Sequence, residues 1–497
     1  MSSPTKERKG LSKALRYFYG VGDFGFTLMS NVESYYFTSF LTDFAKFSPF
    51  LSGLIGTLTT AIDACLSWIY GAILNSVKPK KWGRYRSWLI MLPWVVPFLY
   101  AFQFIRVGGE VISAIVIILA FVSSHICWNF PYVANVSMIS VAGKTPDERS
   151  QLASTRGAWA NLSKVVFSYV CPLLAVVGVK LLGEVNQYGA VAFILGAVMA
   201  ALYYAHFKMF EGYETVDPAE LEKAKSAQKA KSADRTGGMD LIRALLQNRP
   251  LIALLLADIA KFLFNFVIAG AAYYYFKYIA KDVNLTVQYP LYILITNICC
   301  VIGSYLAKTF AKKFSARNTA IGMFFIMAVV LVASRLLYTN VTLVMVLMSL
   351  ALFGYGVCYS LTPALYADTI VFSQWKTGKN ATGWISGLQN VPLKLGVLAR
   401  GIVIPTVLGA VGYNADKVDI ANVAPELQSA ICLAFMIIPA IALVVAGVLL
   451  LFGFNLTKDK VIQYQNEIAA RNGKPTSPVL LWFCTTCANL CVWQQFC

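Results

Sequence analysis

The chain has 497 residues, of which 58% are hydrophobic and only 13% are charged, and its mean hydropathy is +0.62. A soluble domain carries about 25% charged residues, so this composition excludes an ordinary soluble protein and indicates a polytopic membrane protein. The formal net charge of +18 would suggest a nucleic-acid partner for a soluble protein. In a membrane protein it indicates cytoplasmic loops beside anionic lipid headgroups, and we expect no nucleic-acid partner.

Twelve segments are long and apolar enough to cross a bilayer, which takes about 20 residues of helix. We predict helices because lipid offers an exposed backbone no hydrogen-bond partner. The predicted spans, in chain order, are 15–43, 51–76, 87–106, 111–140, 152–181, 187–207, 250–280, 287–311, 318–338, 341–372, 381–412 and 427–455.

The polar stretch 208–249 separates the first six predicted spans from the last six. We predict an all-α integral membrane protein with an N-terminal half (1–207), a cytoplasmic linker (208–249), a C-terminal half (250–455) and a cytoplasmic tail (456–497). The linker has the pattern of a short amphipathic helix near 239–247.

The basic residues predict the orientation in the membrane. If the N-terminus is inside, the inner segments hold 30 Lys and Arg and the outer loops hold seven. The positive-inside rule therefore predicts that both termini are cytoplasmic, in a cell membrane. Arg84 and Arg86 belong to the basic loop that begins at Lys78, and we interpret them as topology anchors.

Seven motifs spread in order from residue 19 to residue 413 resemble one transporter family. Together they resemble the glycoside–pentoside–hexuronide:cation symporters of the melibiose-permease type, within the major facilitator superfamily. The motifs are YGVGDFG (19–25), WGRYRSW (82–88), DERSQL (147–152) followed by Arg156, NRPLIALLLADI (248–259), YYYFKY (273–278), ADTIVFSQWKTGK (367–379) and GAVGY (409–413).

The resemblance implies a twelve-helix fold in two six-helix halves and a sugar or glycoside carrier that alternates between outward-open and inward-open states. The binding site would lie at mid-membrane between the halves. Two alternatives remain: a non-transporting sugar sensor on a carrier fold, and an uncoupled sugar facilitator. An enzyme finds no support, because no nucleophile, base and orienting group cluster in the sequence. We expect a functional monomer.

Ten Asp, Glu, Lys and Arg residues lie inside the predicted spans away from the span ends, and such residues are candidate functional residues because burial in lipid costs at least about 2.5–3.5 kcal/mol each. Asp23 and Asp368 lie toward the cytoplasmic ends of their spans and are interpreted as gate or capping charges. Asp258 and Lys261 are three residues apart and can pair on one helix. The ten are Asp23, Glu33, Asp63, Asp258, Asp368, Arg156, Lys164, Lys261, Lys394 and Arg400.

Asp63 is the predicted coupling residue, because it lies near mid-membrane about four helical turns before the basic loop. The resemblance implies a second acid four residues later, where this chain has Ser67, and polar or basic family positions are Leu66 and Thr60 here. A Na⁺ site therefore lacks most of its oxygen ligands. A single buried carboxylate can still carry a proton, so we predict H⁺ coupling, with Na⁺ possible, and no cofactor.

The first span carries a polar stripe at helical spacing, formed by Thr27, Ser30, Asn31, Ser34 and Thr38. By the resemblance, the position of Thr27 grips sugar hydroxyls, so we predict that Thr27 and Asn31 contact the substrate. Glu33 flanks the stripe. It is either a replacement proton site or a structural partner of Lys394 or Arg156.

The fourth span offers His125, Trp128, Asn129 and Tyr132 on neighbouring helical turns. Asn129 matches a family position that is an acidic sugar ligand in some members. His125 could contact the sugar or relay a proton, although a lone buried histidine is more often a core residue. Trp128 and Tyr132 could stack on a sugar ring or simply pack.

Arg156 and Lys394 match basic positions that the family places at or beside the sugar, and Gln389 and Asn390 adjoin Lys394. An ion pair of Arg156 with an acid such as Asp63 is the structural alternative.

The sequence also predicts the charge of the substrate. Thr27 and Asn129 are neutral at positions where some members carry acids, whereas the basic residues at positions 156 and 394 remain. We therefore predict an acidic sugar such as a hexuronide, because arginine grips carboxylates through charge-assisted hydrogen bonds.

Four of the eleven cysteines crowd the end of the chain, from Cys484 to Cys497. The spacing could bind zinc or an iron–sulfur cluster. Because the segment has no histidine and the resemblance stops before it, we predict an appended tail and no metal.

Overall fold

The computed structural model describes residues 10–76, 82–83, 85–142, 146–214, 247–282, 285–378, 385 and 388–471. The elements of this part of the chain are all helices. The helix predicted near 239–247, apart from its last residue, and the segment from Cys484 to Cys497 lie outside the described residues.

The N-terminal half contains eight helices, and its second helix continues into a π-helical turn at Phe40–Phe44. The helices are α1 (Lys13–Phe18), α2 (Val21–Ser39), α3 (Pro49–Ser76), α4 (Trp88–Met91), α5 (Val96–Phe102), α6 (Glu110–Ala142), α7 (Pro146–Leu182) and α8 (Gln187–Met209).

The C-terminal half begins with a helix that also continues into a π turn, at Tyr275–Ile279. Its helices are α9 (Arg249–Tyr274), α10 (Gln288–Phe314), α11 (Ala316–Leu336), α12 (Val341–Thr377), α13 (Asn390–Ala410), α14 (Pro425–Cys432) and α15 (Ile438–Gly453), with a π turn at Leu433–Ile437 between the last two. Helix α16 (Lys458–Arg471) follows the bundle.

Ten helices in the described chain are long and apolar enough to span a membrane. The other two members of the twelve-helix fold are α2, whose polar stripe lowers its hydropathy, and the third predicted span. The third span is not the continuous helix predicted at 87–106, because it breaks into α4 and α5 around Pro93. Proline lacks the backbone N–H that a helix interior needs. The first predicted span, 15–43, is likewise broken between α1 and α2.

Contacts between helix ends define two faces of the bundle. On the terminal face, the backbone N–H of Ser12 donates to the hydroxyl of Tyr213 (2.6 Å), and the indole of Trp375 donates to Glu467 in α16 (2.5 Å). On the distal face, α3 begins and the π turns of α2 and α9 lie. Helices therefore run from one face to the other, as the predicted spans require.

Helices α2 and α9 end in the same irregular way. The π turn that begins at Tyr275 follows the one that begins at Phe40 by 235 residues. Lys281 follows Lys46 by the same offset, and both lysines have a left-handed backbone with φ of 57°. The two halves therefore share one backbone plan at the distal face.

Helices α3 and α13 bring the halves into close contact through small residues. A Cβ added to Gly56 would lie 3.3 Å from the Cα of Gly401, and one added to Gly53 would lie 3.2 Å from the Cβ of Pro405. Small residues at such crossings let two membrane helices approach closely. The seam between the halves is thus tight between its centre and the distal face.

Candidate functional site

In the described chain, the ten charged residues away from the span ends form four ion pairs among themselves. Two pairs lie within one half and two join the halves. They are Arg156–Asp23 in the N-terminal half, Lys261–Asp258 in the C-terminal half, and Lys394–Asp63 and Arg400–Glu33 between the halves.

The pair between α3 and α13 joins the predicted coupling acid to a predicted sugar-site lysine. The Lys394 Nζ lies 2.5 Å from the Asp63 Oδ2, and the Asn129 side-chain amide donates to the Asp63 Oδ1 at 3.3 Å. Asp63 is buried and Lys394 is half-buried. Three predicted site residues from α3, α6 and α13 therefore meet at the seam.

A second group of charges joins α2, α6 and α13. The Glu33 carboxylate lies 3.2 Å from the His125 Nε2 and 3.6 Å from the Arg400 Nη2. Arg400 also donates to the backbone carbonyls of Glu33 (2.9 Å) and Ser34 (2.8 Å). The prediction that Glu33 pairs with Lys394 or Arg156 is wrong, because its partners are His125 and Arg400.

The hydrogen bonds of His125 place a proton in this group. Its Nδ1 lies 2.9 Å from the backbone carbonyl of Phe121. A carbonyl oxygen only accepts, so Nδ1 must carry a hydrogen. In a neutral imidazole Nε2 is then an acceptor, and its contact with Glu33 needs a proton on the carboxyl; otherwise the imidazole is charged. Either way, Glu33 and His125 hold one proton between them.

Arg156 forms the ion pair with an acid that was the structural alternative, but its partner is Asp23 rather than the example Asp63. The Arg156 Nε lies 2.5 Å from the Asp23 Oδ1, and Asn135 donates to the other Asp23 oxygen at 2.9 Å. The Arg156 guanidinium also lies 5.1 Å from the ring centroid of Tyr132. This pair ties α2 to α7 inside one half.

The remaining predicted site residues lie at different places. Asn31 is buried and its side-chain nitrogen has no hydrogen-bond partner among the described residues, whereas Thr27 and Gln389 are half-buried. Arg86 is buried near the terminal face, where it donates to the carbonyl of Phe207 (2.8 Å), and Asp368 is half-buried in α12. The side chains of Ser67, Arg84 and Asn390 lie outside the described part.

A cluster that the sequence analysis missed closes the distal face. The buried Asp43 carboxylate accepts hydrogen bonds from Lys277 (2.6 Å), Tyr278 (2.9 Å), Tyr413 (2.5 Å) and Thr42 (2.9 Å). We call these five residues the distal latch. Three of them lie in the motifs YYYFKY and GAVGY, which were the available signal.

The contacts that join the halves lie at the centre and toward the distal face. Within the described chain, the hydrogen bonds and ion pairs between the halves lie at the level of Asp63–Lys394 or nearer the distal face. An open cavity of about 270 Å³ lies between α7 and α10, lined among others by Asn161 and by the exposed side chains of Leu162, Ile298 and Tyr305.

The chain resembles known proteins along most of its length. The family described as MFS/sugar transport protein matches residues 18–458. A glucuronide carrier protein homolog of Escherichia coli (strain K12) is 22% identical, over 91% of this chain and 94% of the relative. An isoprimeverose transporter of Lactiplantibacillus pentosus is 22% identical, over 88% of each chain.

Solved structures share the fold at lower sequence identity. A D-xylose-proton symporter superposes with a TM-score of 0.60 at 14% identity, covering 90% of this chain and 98% of that chain. The predicted twelve-helix fold in two halves is therefore confirmed.

Proposed function

Because this chain belongs to the MFS/sugar transport family, we propose that it moves a sugar, glycoside or hexuronide across the cell membrane by alternating access, in symport with H⁺. The family is one of transporters rather than enzymes. One observation carries the proposal: the pairs Lys394–Asp63 and Arg400–Glu33, each with one buried and one half-buried member, join the two halves. Relative motion of the halves must break or rearrange them, so motion and charge state are linked.

The positions of the contacts between the halves indicate which face of the bundle is closed. The distal latch joins the halves at one face, and the described hydrogen bonds and ion pairs between the halves lie at the centre or on the latch side of it. With the predicted orientation, in which both termini are cytoplasmic, this conformation faces the cytoplasm. Transport then requires the latch to open while the terminal-face ends of the helices close.

Proton coupling agrees with the chemistry of both charge groups. The Lys394 ammonium lies against Asp63 and supplies the positive charge that Na⁺ would have to replace. Glu33 and His125 are two titratable groups in contact, and Arg400 lies beside the acid. Carboxyl and imidazole groups can thus exchange a proton as the halves move.

The polar side chains predicted to contact the substrate can form hydrogen bonds with sugar hydroxyls. The side-chain nitrogen of Asn31 is buried without a hydrogen-bond partner among the described residues, and Thr27 and Gln389 are half-buried polar side chains. The names of two relatives, a glucuronide carrier homolog and an isoprimeverose transporter, support a sugar derivative. The sequence argument for an acid counted Arg156 and Lys394 as available cations, but both are paired here.

The test is uptake by proteoliposomes that contain the purified protein. We expect accumulation of a sugar or uronide when the outside is acidic, with no requirement for Na⁺ at fixed pH. Empty liposomes and liposomes without a pH gradient are the controls. Uptake that rises steeply with Na⁺ contradicts proton coupling, and binding without uptake of any probe favours the sensor alternative.

A further inference from the structure

One cation deep in the spans has no acid partner among the described residues. Eight of the ten charged residues away from the span ends form the four ion pairs, which leaves Lys164 and Asp368. Asp368 lies nine residues from the terminal-face end of α12, whereas Lys164 lies eighteen residues from that end of α7. At 1.5 Å per residue, their depths differ by roughly 13 Å. Within the described chain, Lys164 forms no ion pair.

Lys164 lies too deep to reach the lipid headgroups. It stands nine residues from Thr155 and eighteen from Leu182, the ends of the apolar part of α7, which is roughly 13 and 27 Å along the helix. A lysine reaches the interface only from near a helix end. A charged ammonium at this depth is costly in hydrocarbon, so such residues face a cavity or a partner.

The neighbours of Lys164 place it at the seam between the halves. Ser163 bonds the backbone of α2 through the Phe24 carbonyl (2.9 Å), while Asn161 and Val165 line the cavity beside α10. Lys164 also lies close enough to the Cys300 thiol of α10 to interact with it electrostatically. Its half-buried side chain therefore lies between the two halves.

Neutral hydrogen-bonding groups lie one helical turn from Cys300. Asn297 on α10 donates to the hydroxyl of Tyr35 on α2 across the seam (3.3 Å). An amide and a phenol in the region of an ammonium that forms no ion pair in the described chain are groups that suit a polyhydroxylated anion, and such a ligand would supply the missing negative charge.

We propose that Lys164 binds the acidic group of the transported substrate, a carboxylate or sulfonate carried on a sugar. The inference rests on the proposed transport function and names the charge of its substrate. Arg156 and Lys394 are held by Asp23 and Asp63, so Lys164 is the spanning cation that an anionic substrate can neutralise. A neutral sugar would leave this ammonium without a counter-charge, which is unfavourable in a buried site.

The test compares three probes in proteoliposomes: methyl β-D-glucuronide, its 6-sulfonate analogue and the neutral methyl β-D-glucoside. Half-saturating concentrations for counterflow are measured for the wild type, Lys164→Gln, Lys164→Arg and the matched control Lys180→Gln, an exposed lysine on the same helix. We expect Lys164→Gln to raise the half-saturating concentration of each anionic probe by about 10- to 100-fold, which is the effect of losing a charge-assisted hydrogen bond. Binding of the glucoside should be unchanged.

Two further readouts separate recognition from folding. Lys164→Arg keeps the charge and should retain preference for an anionic probe. Without substrate, Lys164→Gln should unfold at the same or a higher temperature than the wild type, because an unpaired buried charge has been removed. A structural lysine would instead lower that temperature.

Three results would overturn the inference. Equal losses for anionic and neutral probes, or a wild type that prefers the glucoside, contradict it while leaving transport intact. A wild type that moves none of the probes contradicts the proposed substrate class and this inference together.

Discussion

Two buried lysine–aspartate pairs in this protein are chemically alike but differently placed. Lys261 and Asp258 are three residues apart on α9 and almost fully buried, and Lys261 also donates to Thr362 (2.8 Å). Lys394 and Asp63 are 331 residues apart, on helices of different halves. Motion of one half against the other leaves the first pair unchanged and must alter the second.

The comparison separates structural from functional charge. A pair within one helix neutralises a buried cation in every conformation, so its energy is the same in all of them. A pair across the seam stabilises only conformations that bring its partners together. Proton or substrate binding at that pair can therefore shift the balance between access states.

The sharpest test of this difference is Asp63→Asn, which we expect to have the largest effect. The amide cannot carry a proton, so accumulation of the transported sugar against its gradient should be abolished. Exchange of labelled for unlabelled sugar needs no net proton movement and should persist. Accumulation and counterflow are measured in the same proteoliposomes. Accumulation at the wild-type level would show that Asp63 has no part in coupling.

Asp258→Asn should act on stability. It leaves Lys261 buried without its acid, which costs roughly 3–5 kcal/mol, and we expect a marked loss of thermal stability in detergent. Replacing both partners, with Asp258→Leu and Lys261→Met, should recover most of that stability, because apolar replacement of a buried pair is often neutral. The double variant should still accumulate substrate. A stable double variant that cannot accumulate would assign this pair a role in coupling.

Asp43→Asn tests a cross-half contact outside the centre. Loss of the charge weakens hydrogen bonds from Lys277, Tyr278 and Tyr413, each about 1.5–3 kcal/mol when charge-assisted. We expect the distal face to open more often. Thiol labelling from that face should then rise several-fold at a cysteine replacing Thr38, which is buried in α2. The same labelling rate in Asp43→Asn and its parent would mean that the latch does not hold the closed state.

Lys46→Gln should have the smallest effect. Its partner Asp416 is also across the seam on the distal face, but both side chains are about half exposed, at 46% and 53%. Exposed ion pairs contribute about 0–1 kcal/mol, so labelling at position 38 should stay near its starting rate. A change as large as that of Asp43→Asn would show that bridging the halves, rather than burial, decides the effect.

The sequence predicted the fold closely because length and apolar character determine a membrane helix. Predicted spans such as 187–207 and 341–372 agree with the helices at 187–209 and 341–377 to within a few residues. The break around Pro93 was missed because the stretch stays apolar across it. Hydropathy predicts whether a segment lies in lipid, but it does not predict whether the helix of that segment is continuous.

The sequence identified many residues of the site but not which of them pair with each other. The Asp258–Lys261 pair was found because it is local, and helical spacing brings its partners together. The partners predicted for Glu33 were wrong, and the acid that pairs with Arg156 was not identified, because both depend on how distant helices pack. Asp43 escaped notice because it stands at the end of a span, where an acid usually meets water.

The shared π turns also relate the distal latch to the internal repeat of the chain. By their offset of 235 residues, the counterpart of Asp43 in the second half is Tyr278, and these two residues hydrogen-bond each other. A residue that meets its own copy lies beside a two-fold axis, as in the interface of a symmetric dimer, and repeats of this kind are related by an axis along the membrane normal. An ancestral pair of identical half-length chains would have placed the same side chain on both sides of that axis, and two carboxylates there would repel. Joining the halves in one chain allowed the two copies to diverge into an acid and a phenol, a contact that no homodimer can encode.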